Sequence, residues 1–140
     1  MSIDGVSMIN RFVFADASRC IGCHACEVAC VMAHNNEQHV LTASAFRPRI
    51  TVLKQGSLRN AVTCHHCESA PCLRSCPNGA LTKTHQSIQL DERKCIGCKS
   101  CMLACPFGVM QMVESACGPD ESVTTHAHKC DLCHQRAAGP

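Results

Sequence analysis

Cysteine is the residue type that dominates the possible chemistry of this chain. Fifteen of its 140 residues are cysteines, a share above the level that marks chains organised by cross-links or metals. One of them, Cys117, stands alone, and the others fall into four groups. The groups are Cys20, Cys23, Cys26 and Cys30; Cys64, Cys67, Cys72 and Cys76; Cys95, Cys98, Cys101 and Cys105; and Cys130 with Cys133.

The spacing within these groups is typical of ligands to 4Fe-4S clusters. The first and third groups read C-x2-C-x2-C-x3-C, and the second widens its middle gap to four residues. Iron in a cubane takes one soft anionic ligand at each corner, and the thiolates of one tight turn can reach three corners. We therefore expect all fourteen grouped cysteines to be cluster ligands.

The fourth ligand of each cluster must come from elsewhere in the chain. In two-cluster ferredoxins the fourth cysteine of each run ligates the other cluster. Applied to the two inner groups, this rule predicts one cluster on Cys64, Cys67, Cys72 and Cys105, and a second on Cys95, Cys98, Cys101 and Cys76. Applied to the outer groups, it leaves three recognisable ligands at each site: Cys20, Cys23 and Cys26 at one, and Cys30, Cys130 and Cys133 at the other.

An internal repeat predicts the fold class. "DASRCIGCHAC" from Asp16 and "DERKCIGCKSC" from Asp91 are similar, and short extended stretches and single helical turns separate the cysteine groups. The chain has only four Phe and neither Trp nor Tyr, so clusters must help to fill its interior. We expect an α+β, duplicated bacterial-ferredoxin-like fold, a single polyferredoxin domain over 1–140. Its inner two-cluster core would span about 60–114, with outer elements at 11–59 and 115–140.

The order of the motifs identifies a family. The succession from "RCIGCHACEVAC" through "CHHCESAPCLRSCP" and "KCIGCKSCMLACPFG" to "KCDLC" resembles the four-cluster iron-sulfur subunits of formate dehydrogenases, formate hydrogenlyase, hydrogenase-4 and dimethyl sulfoxide reductase. The resemblance implies up to four 4Fe-4S clusters and electron transfer to or from a redox subunit such as formate dehydrogenase or hydrogenase. Members of that family carry two more cysteines after "KCDLC". Their absence here leads us to expect a shortened C-terminal element, with a poorly anchored end from about Ser115.

The same cysteines and histidines also allow roles other than ligation of a 4Fe-4S cluster. Cys-x2-Cys pairs also bind zinc, which is a rival chiefly for Cys130 and Cys133. Cys117 is most simply a free cysteine, with a substitute ligand as the alternative. His24, His65, His66 and His134 lie in or beside the cysteine groups. Support of the ligands or a surface position is the simpler role for them, although imidazole replaces thiolate in some centres.

The function expected from the sequence is electron transfer, without catalysis of its own. The chain carries no nucleotide loop or nucleophile motif, and a net charge of +2 without a basic block excludes a nucleic-acid partner. Without an apolar run long enough to span a membrane or a signal sequence, we expect a cytoplasmic protein. The alternatives are the N-terminal iron-sulfur piece of a larger oxidoreductase, a zinc-binding structural module, and an iron-sulfur sensor.

Overall fold

Short helices and three separate two-stranded sheets make up the fold. The computed structural model describes residues 10–35, 43, 46–84, 86–117 and 122–136, without the side chains of 116, 117 and 122. The elements, in chain order, are α1 (Ala25–His34), β1 (Thr51–Gln55), β2 (Leu58–Val62), α2 (Pro71–Ser75), β3 (Leu81–Lys83), β4 (Ile88–Leu90), α3 (Ser100–Ala104), β5 (Gln111–Cys117) and β6 (Ser122–His128). This mixture of helices and strands agrees with the α+β expectation.

Each sheet is an antiparallel pair of strands that follow one another in the chain. Thr51 pairs with Val62 in the first sheet, Leu81 with Leu90 in the second, and Gln111 with His128 in the third. Gly56 begins the two-residue turn between β1 and β2 with a φ of 59°, the backbone that a tight hairpin requires. All fourteen grouped cysteines lie outside the strands, in the short helices and the connections.

The third sheet corrects one sequence expectation. A poorly anchored end from about Ser115 was expected, but β6 pairs with β5 along its whole length. Ala127 is fully buried, and Lys129 is only 2% exposed. That expectation is therefore wrong for residues 122–129, because "SVTTHAH" forms a strand that pairs with β5 and buries Ala127.

The core is small and consists partly of cysteine. Its six buried members are Ala70, Leu81, Ile88, Cys101, Met110 and Ala127. Five further cysteines pack against them while remaining partly exposed: Cys67, Cys72, Cys76, Cys95 and Cys105. Cysteine therefore supplies much of the interior, as the shortage of large apolar residues requires.

Candidate iron-sulfur centres

All four cysteine groups begin with the same kind of turn. The second residue after the first cysteine has a left-handed backbone in each group, with φ values of 68° at Gly22, 45° at His66, 71° at Gly97 and 56° at Leu132. Glycine adopts this conformation at no steric cost, whereas His and Leu do so with some strain. In the second, third and fourth groups, the first two cysteines line the same pocket.

The first inner pocket collects cysteines from the second and third groups. Its lining includes Cys64, Cys67 and Cys72 together with Cys105, which follows α3. The pocket is otherwise lined mainly by apolar residues, among them Ile88, Val109 and Met110. Four soft sulfur donors around an apolar space match the chemistry that a 4Fe-4S cluster requires.

The second inner pocket shows the reciprocal arrangement. Cys95, Cys98 and Cys101 meet Cys76, which follows α2, around this second pocket. Helices α2 and α3 lie against each other, and each ends at a cysteine that belongs to the other pocket. The structure therefore brings together the two sets of four cysteines that the crossed ligation rule names.

The outer groups meet at a third pocket. Cys30 in the middle of α1 lines it with Cys130 and Cys133, and Cys26 of the same helix also lines it. Cys20 is close enough to influence the Cys26 thiol electrostatically, and Cys23 is exposed. Neither Cys20 nor Cys23 lines this pocket, and the side chain of Cys117 lies outside the described part of the structure.

The environments of the thiols differ with depth. Burial raises the pKa of the thiols of Cys64, Cys72 and Cys101. Burial acts in the same sense on Cys76, but the backbone N–H groups of Asn78, Ala80 and Leu81 outweigh it and lower its pKa. Since thiolates and not thiols bind iron, loading the deep sites must release protons.

Backbone N–H groups point at several sulfur atoms. The N–H of His66 donates to Cys64 Sγ at 3.4 Å, and that of Ala127 donates to Cys95 Sγ at 3.3 Å. The N–H of Leu132 makes the same contact with Cys130 Sγ at 3.4 Å. Such donors stabilise negative charge on the sulfur and influence the reduction potential of a cluster, so the pockets suit the group that their ligands imply.

The four histidines beside the cysteines have different surroundings. His24 contacts the Glu27 carboxylate at 2.9 Å, and His134 lies 3.4 Å from that of Asp131. His65 stacks between Phe12 and Phe107, with ring centroids 5.2 and 3.8 Å away. His66 is fully buried, and its Nδ1 accepts the N–H of Ile88 at 3.0 Å.

A network of charged residues beside the outer pocket was missed by the sequence analysis. His34 Nε2 lies 2.8 Å from Asp131 Oδ1, and the Arg49 guanidinium lies 3.4 Å from Asp131 Oδ2. The backbone N–H of Arg49 also donates to Cys30 Sγ at 3.2 Å. Asp131 lies inside "KCDLC", but its partners come from distant segments with no motif of their own, so no spacing rule could have named them.

One group of possible metal ligands mixes these residues with a cysteine. Atoms of His34, Asp131 and Cys133 lie within 4.8 Å of one another. Both ring nitrogens of His34 already have partners, since Nδ1 lies 2.7 Å from the carbonyl oxygen of Cys30 and Nε2 contacts Asp131. We therefore interpret His34 and Asp131 as an ion pair that anchors the wall of the outer pocket.

Comparison with known proteins supports the cluster chemistry directly. Residues 17–33 and 88–111 each match a family model described as a 4Fe-4S binding domain. These segments contain the turns around the first and third cysteine groups. The geometry and the family models together define a protein of the 4Fe-4S ferredoxin type.

Relatives of similar length show which family within this class the chain belongs to. The chain is 47% identical to YsaA and 44% identical to HydN of Escherichia coli (strain K12); each match covers 94% of this chain, and 82% and 81% of these relatives. Both carry names of electron transport proteins. The chain belongs to this family of iron-sulfur electron-transport proteins.

Two longer relatives share the same region. The chain is 60% identical to AegA and 54% identical to UacF of Escherichia coli (strain K12), both named as oxidoreductases. Each match covers 94% of this chain but only 20% and 19% of the relative, so the chain spans about a fifth of their length.

Within the described residues, no helix is both long and apolar enough to cross a membrane.

Proposed function

We propose that this chain passes single electrons between a redox enzyme and its acceptor, using 4Fe-4S clusters at the two inner pockets. The observation that carries the proposal is the exchange of cysteines between the second and third groups. Cys105 lines the pocket of Cys64, Cys67 and Cys72, while Cys76 lines that of Cys95, Cys98 and Cys101. Eight thiolates in two sets of four provide complete ligation for two cubanes.

The residues around these pockets would hold the clusters and control their potentials. A bound 4Fe-4S cluster supplies a one-electron redox centre. The protein supplies the ligands, N–H groups directed at sulfur, and apolar walls that restrict water. A role for this chain as a zinc module or a sensor is less well supported, because its relatives of similar length carry names of electron transport proteins.

The outer pocket is proposed as the site of a further cluster. Cys30, Cys130 and Cys133 line it together. Cys20, Cys23 and Cys26 remain the proposed ligands of a fourth cluster. The division into an inner core at about 60–114 and outer elements at 11–59 and 115–140 also remains part of the proposal, as does the duplication of the ferredoxin unit.

We propose a partner of the formate dehydrogenase or hydrogenase type. The chain is 45% identical over 103 residues to formate hydrogenlyase subunit 2 of Escherichia coli (strain K12), a match that covers 74% of this chain and 48% of that subunit. A reducing compartment such as the cytoplasm suits so many cysteines in thiol form. In this proposal the chain carries electrons and has no catalytic site of its own.

Anaerobic electron transfer tests this function. The reconstituted protein should be bleached by a reductant and recover its visible absorbance when a stoichiometric one-electron acceptor is added. The double variant Cys67→Ser/Cys98→Ser removes one ligand from each inner pocket and should lose most of this capacity. If that variant still stored and delivered electrons like the wild type, the inner pockets would not be the redox centres.

A further inference from the structure

Lys129 is a buried lysine between two of the cluster pockets. Its side chain is almost inaccessible to solvent, with 2% of the residue exposed. The Nζ atom donates to the backbone carbonyl of Ile88 and, at 2.7 Å, to that of Cys130. Lysine is seldom fully buried unless its charge is compensated, and these two neutral carbonyls satisfy hydrogen bonds without cancelling the charge.

The two residues whose carbonyls accept from Lys129 line two different pockets, Ile88 the first inner pocket and Cys130 the outer pocket. Lys129 interacts electrostatically with Cys64 and Cys72 of the first inner pocket and with Cys130 of the outer pocket. Burial lowers the pKa of Lys129, while charge on these thiols and on Asp131 works against that effect. Loading both pockets with iron would place more negative charge on either side of the same cation.

A second contact fixes Lys129 relative to the inner pocket. His66, which lies between the ligands Cys64 and Cys67, accepts the N–H of Ile88 at 3.0 Å. The carbonyl of the same Ile88 accepts from Lys129. The peptide groups of Ile88 therefore connect the turn of the first inner pocket to the cation. The cation in turn donates to the carbonyl of Cys130, which lines the outer pocket.

We propose that the buried ammonium of Lys129 raises the reduction potential of the clusters at the first inner pocket and at the outer pocket. This inference rests on the proposed function. Reduction adds one electron from an external donor and no proton or bond, so it increases the negative charge of the centre by one. A fixed cation in a poorly polarisable interior stabilises that added charge. The second inner pocket, which neither Ile88 nor Cys130 lines, serves as an internal reference.

Potentiometric titration of the full chain, followed by electron paramagnetic resonance, tests the proposal. In Lys129→Met, at a potential where the wild-type centre is half reduced, the ratio of reduced to oxidised cluster should fall by about tenfold for the affected centres. Lys129→Arg should keep a ratio near that of the wild type. Lys83→Met is the matched control, because Lys83 makes an exposed ion pair with Glu68 at 2.8 Å, and it should leave all ratios unchanged.

The outcomes separate this inference from the proposed function. If the wild type holds no clusters, the proposed function fails. If the wild type is loaded and Lys129→Met changes the ratio by less than about twofold, the role of Lys129 is overturned. Should Lys129→Met fail to hold iron, Lys129→Gln replaces it as a neutral side chain that can still donate to a carbonyl. If neither neutral variant holds iron, while Lys129→Arg holds its clusters at wild-type potentials, Lys129 is required for folding. That result would overturn its role in tuning the reduction potential.

Discussion

Gly97 packs against the carbonyl group of Thr125. A Cβ atom added to Gly97 would lie 2.6 Å from that backbone oxygen, and the φ of Gly97 is 71°. Gly97 belongs to the turn that holds Cys95 and Cys98, while Thr125 belongs to β6. The contact therefore connects the ligand loop of the second inner pocket with the third sheet.

Replacement of Gly97 by alanine should destabilise the loaded protein by roughly 2 to 4 kcal/mol. About 1 to 2 kcal/mol comes from the left-handed backbone, and the remainder from the overlap with a backbone atom that cannot rotate away. Gly108→Ala is the control, because Gly108 has a φ of 63° but open space around it. Anaerobic urea unfolding measures both variants. Equal losses would show that the contact with Thr125 has no energetic weight.

Crossed ligation gives opposite expectations for Cys76 and Cys105. Cys105→Ser should perturb the cluster at Cys64, Cys67 and Cys72, because Cys105 lines that pocket. Cys76→Ser should instead perturb the cluster at Cys95, Cys98 and Cys101. Each single variant is compared with Cys67→Ser and Cys98→Ser by electron paramagnetic resonance. A spectrum of Cys105→Ser that matches Cys98→Ser, not Cys67→Ser, would refute the crossing.

The sequence predicted the features that depend on local spacing. Strands β1, β3, β4 and β5 lie between the cysteine groups, where short extended stretches are expected. The presence of 4Fe-4S binding segments is likewise confirmed by the family models. Cysteine spacing carries this information because three ligands of a cubane come from one turn.

The features that the sequence did not reveal depend on contacts between distant segments. The sequence analysis missed strand β6. It also missed the burial of Lys129, because nothing in "KCDLC" distinguishes this lysine from an exposed one. The left-handed backbone of His66 and Leu132 was equally hidden, since a positive φ is uncommon for residues other than glycine. It is imposed by the turn that directs their neighbouring cysteines to one pocket.

An aromatic stack shields the first inner pocket. Phe107 lies 3.8 Å from His65 in a nearly parallel arrangement, and both residues line the pocket. Phe107→Ala should open a path for water and oxygen, so that cluster absorbance is lost severalfold faster in air. Phe14→Ala is the control, since Phe14 is 79% exposed. Identical decay rates for the two variants and the wild type would exclude a shielding role.

The ion pair beside the outer pocket predicts a dependence of stability on pH. The hydrogen bond with Asp131 and that with Cys30 raise the pKa of His34 from its ordinary 6.5 to about 10. Because the pKa is raised in the folded state, the stabilisation is complete below about pH 6.5 and is lost as the pH rises towards 10. We expect the free energy of unfolding to fall by an amount on the order of 2 kcal/mol over this window.

The variant His34→Gln isolates that contribution. Urea unfolding of the loaded protein at pH 6.5 and 9.5 should show a smaller pH dependence for His34→Gln than for the wild type. His24→Gln serves as the control, because the side chain of His24 is 46% exposed where it meets Glu27. A pH dependence that is the same in all three proteins would remove the ion pair from the account.

The most direct test of the cluster assignment is a count of iron and acid-labile sulfide on anaerobically reconstituted protein, together with Mössbauer spectroscopy. Two complete inner clusters require about eight iron and eight sulfide atoms per chain. We predict at least this number, with Mössbauer spectra of the 4Fe-4S type. Cys67→Ser and Cys98→Ser should each remove the same share of that signal. A preparation that binds zinc in place of iron, or that holds no more than about four irons unaffected by either variant, would contradict the account.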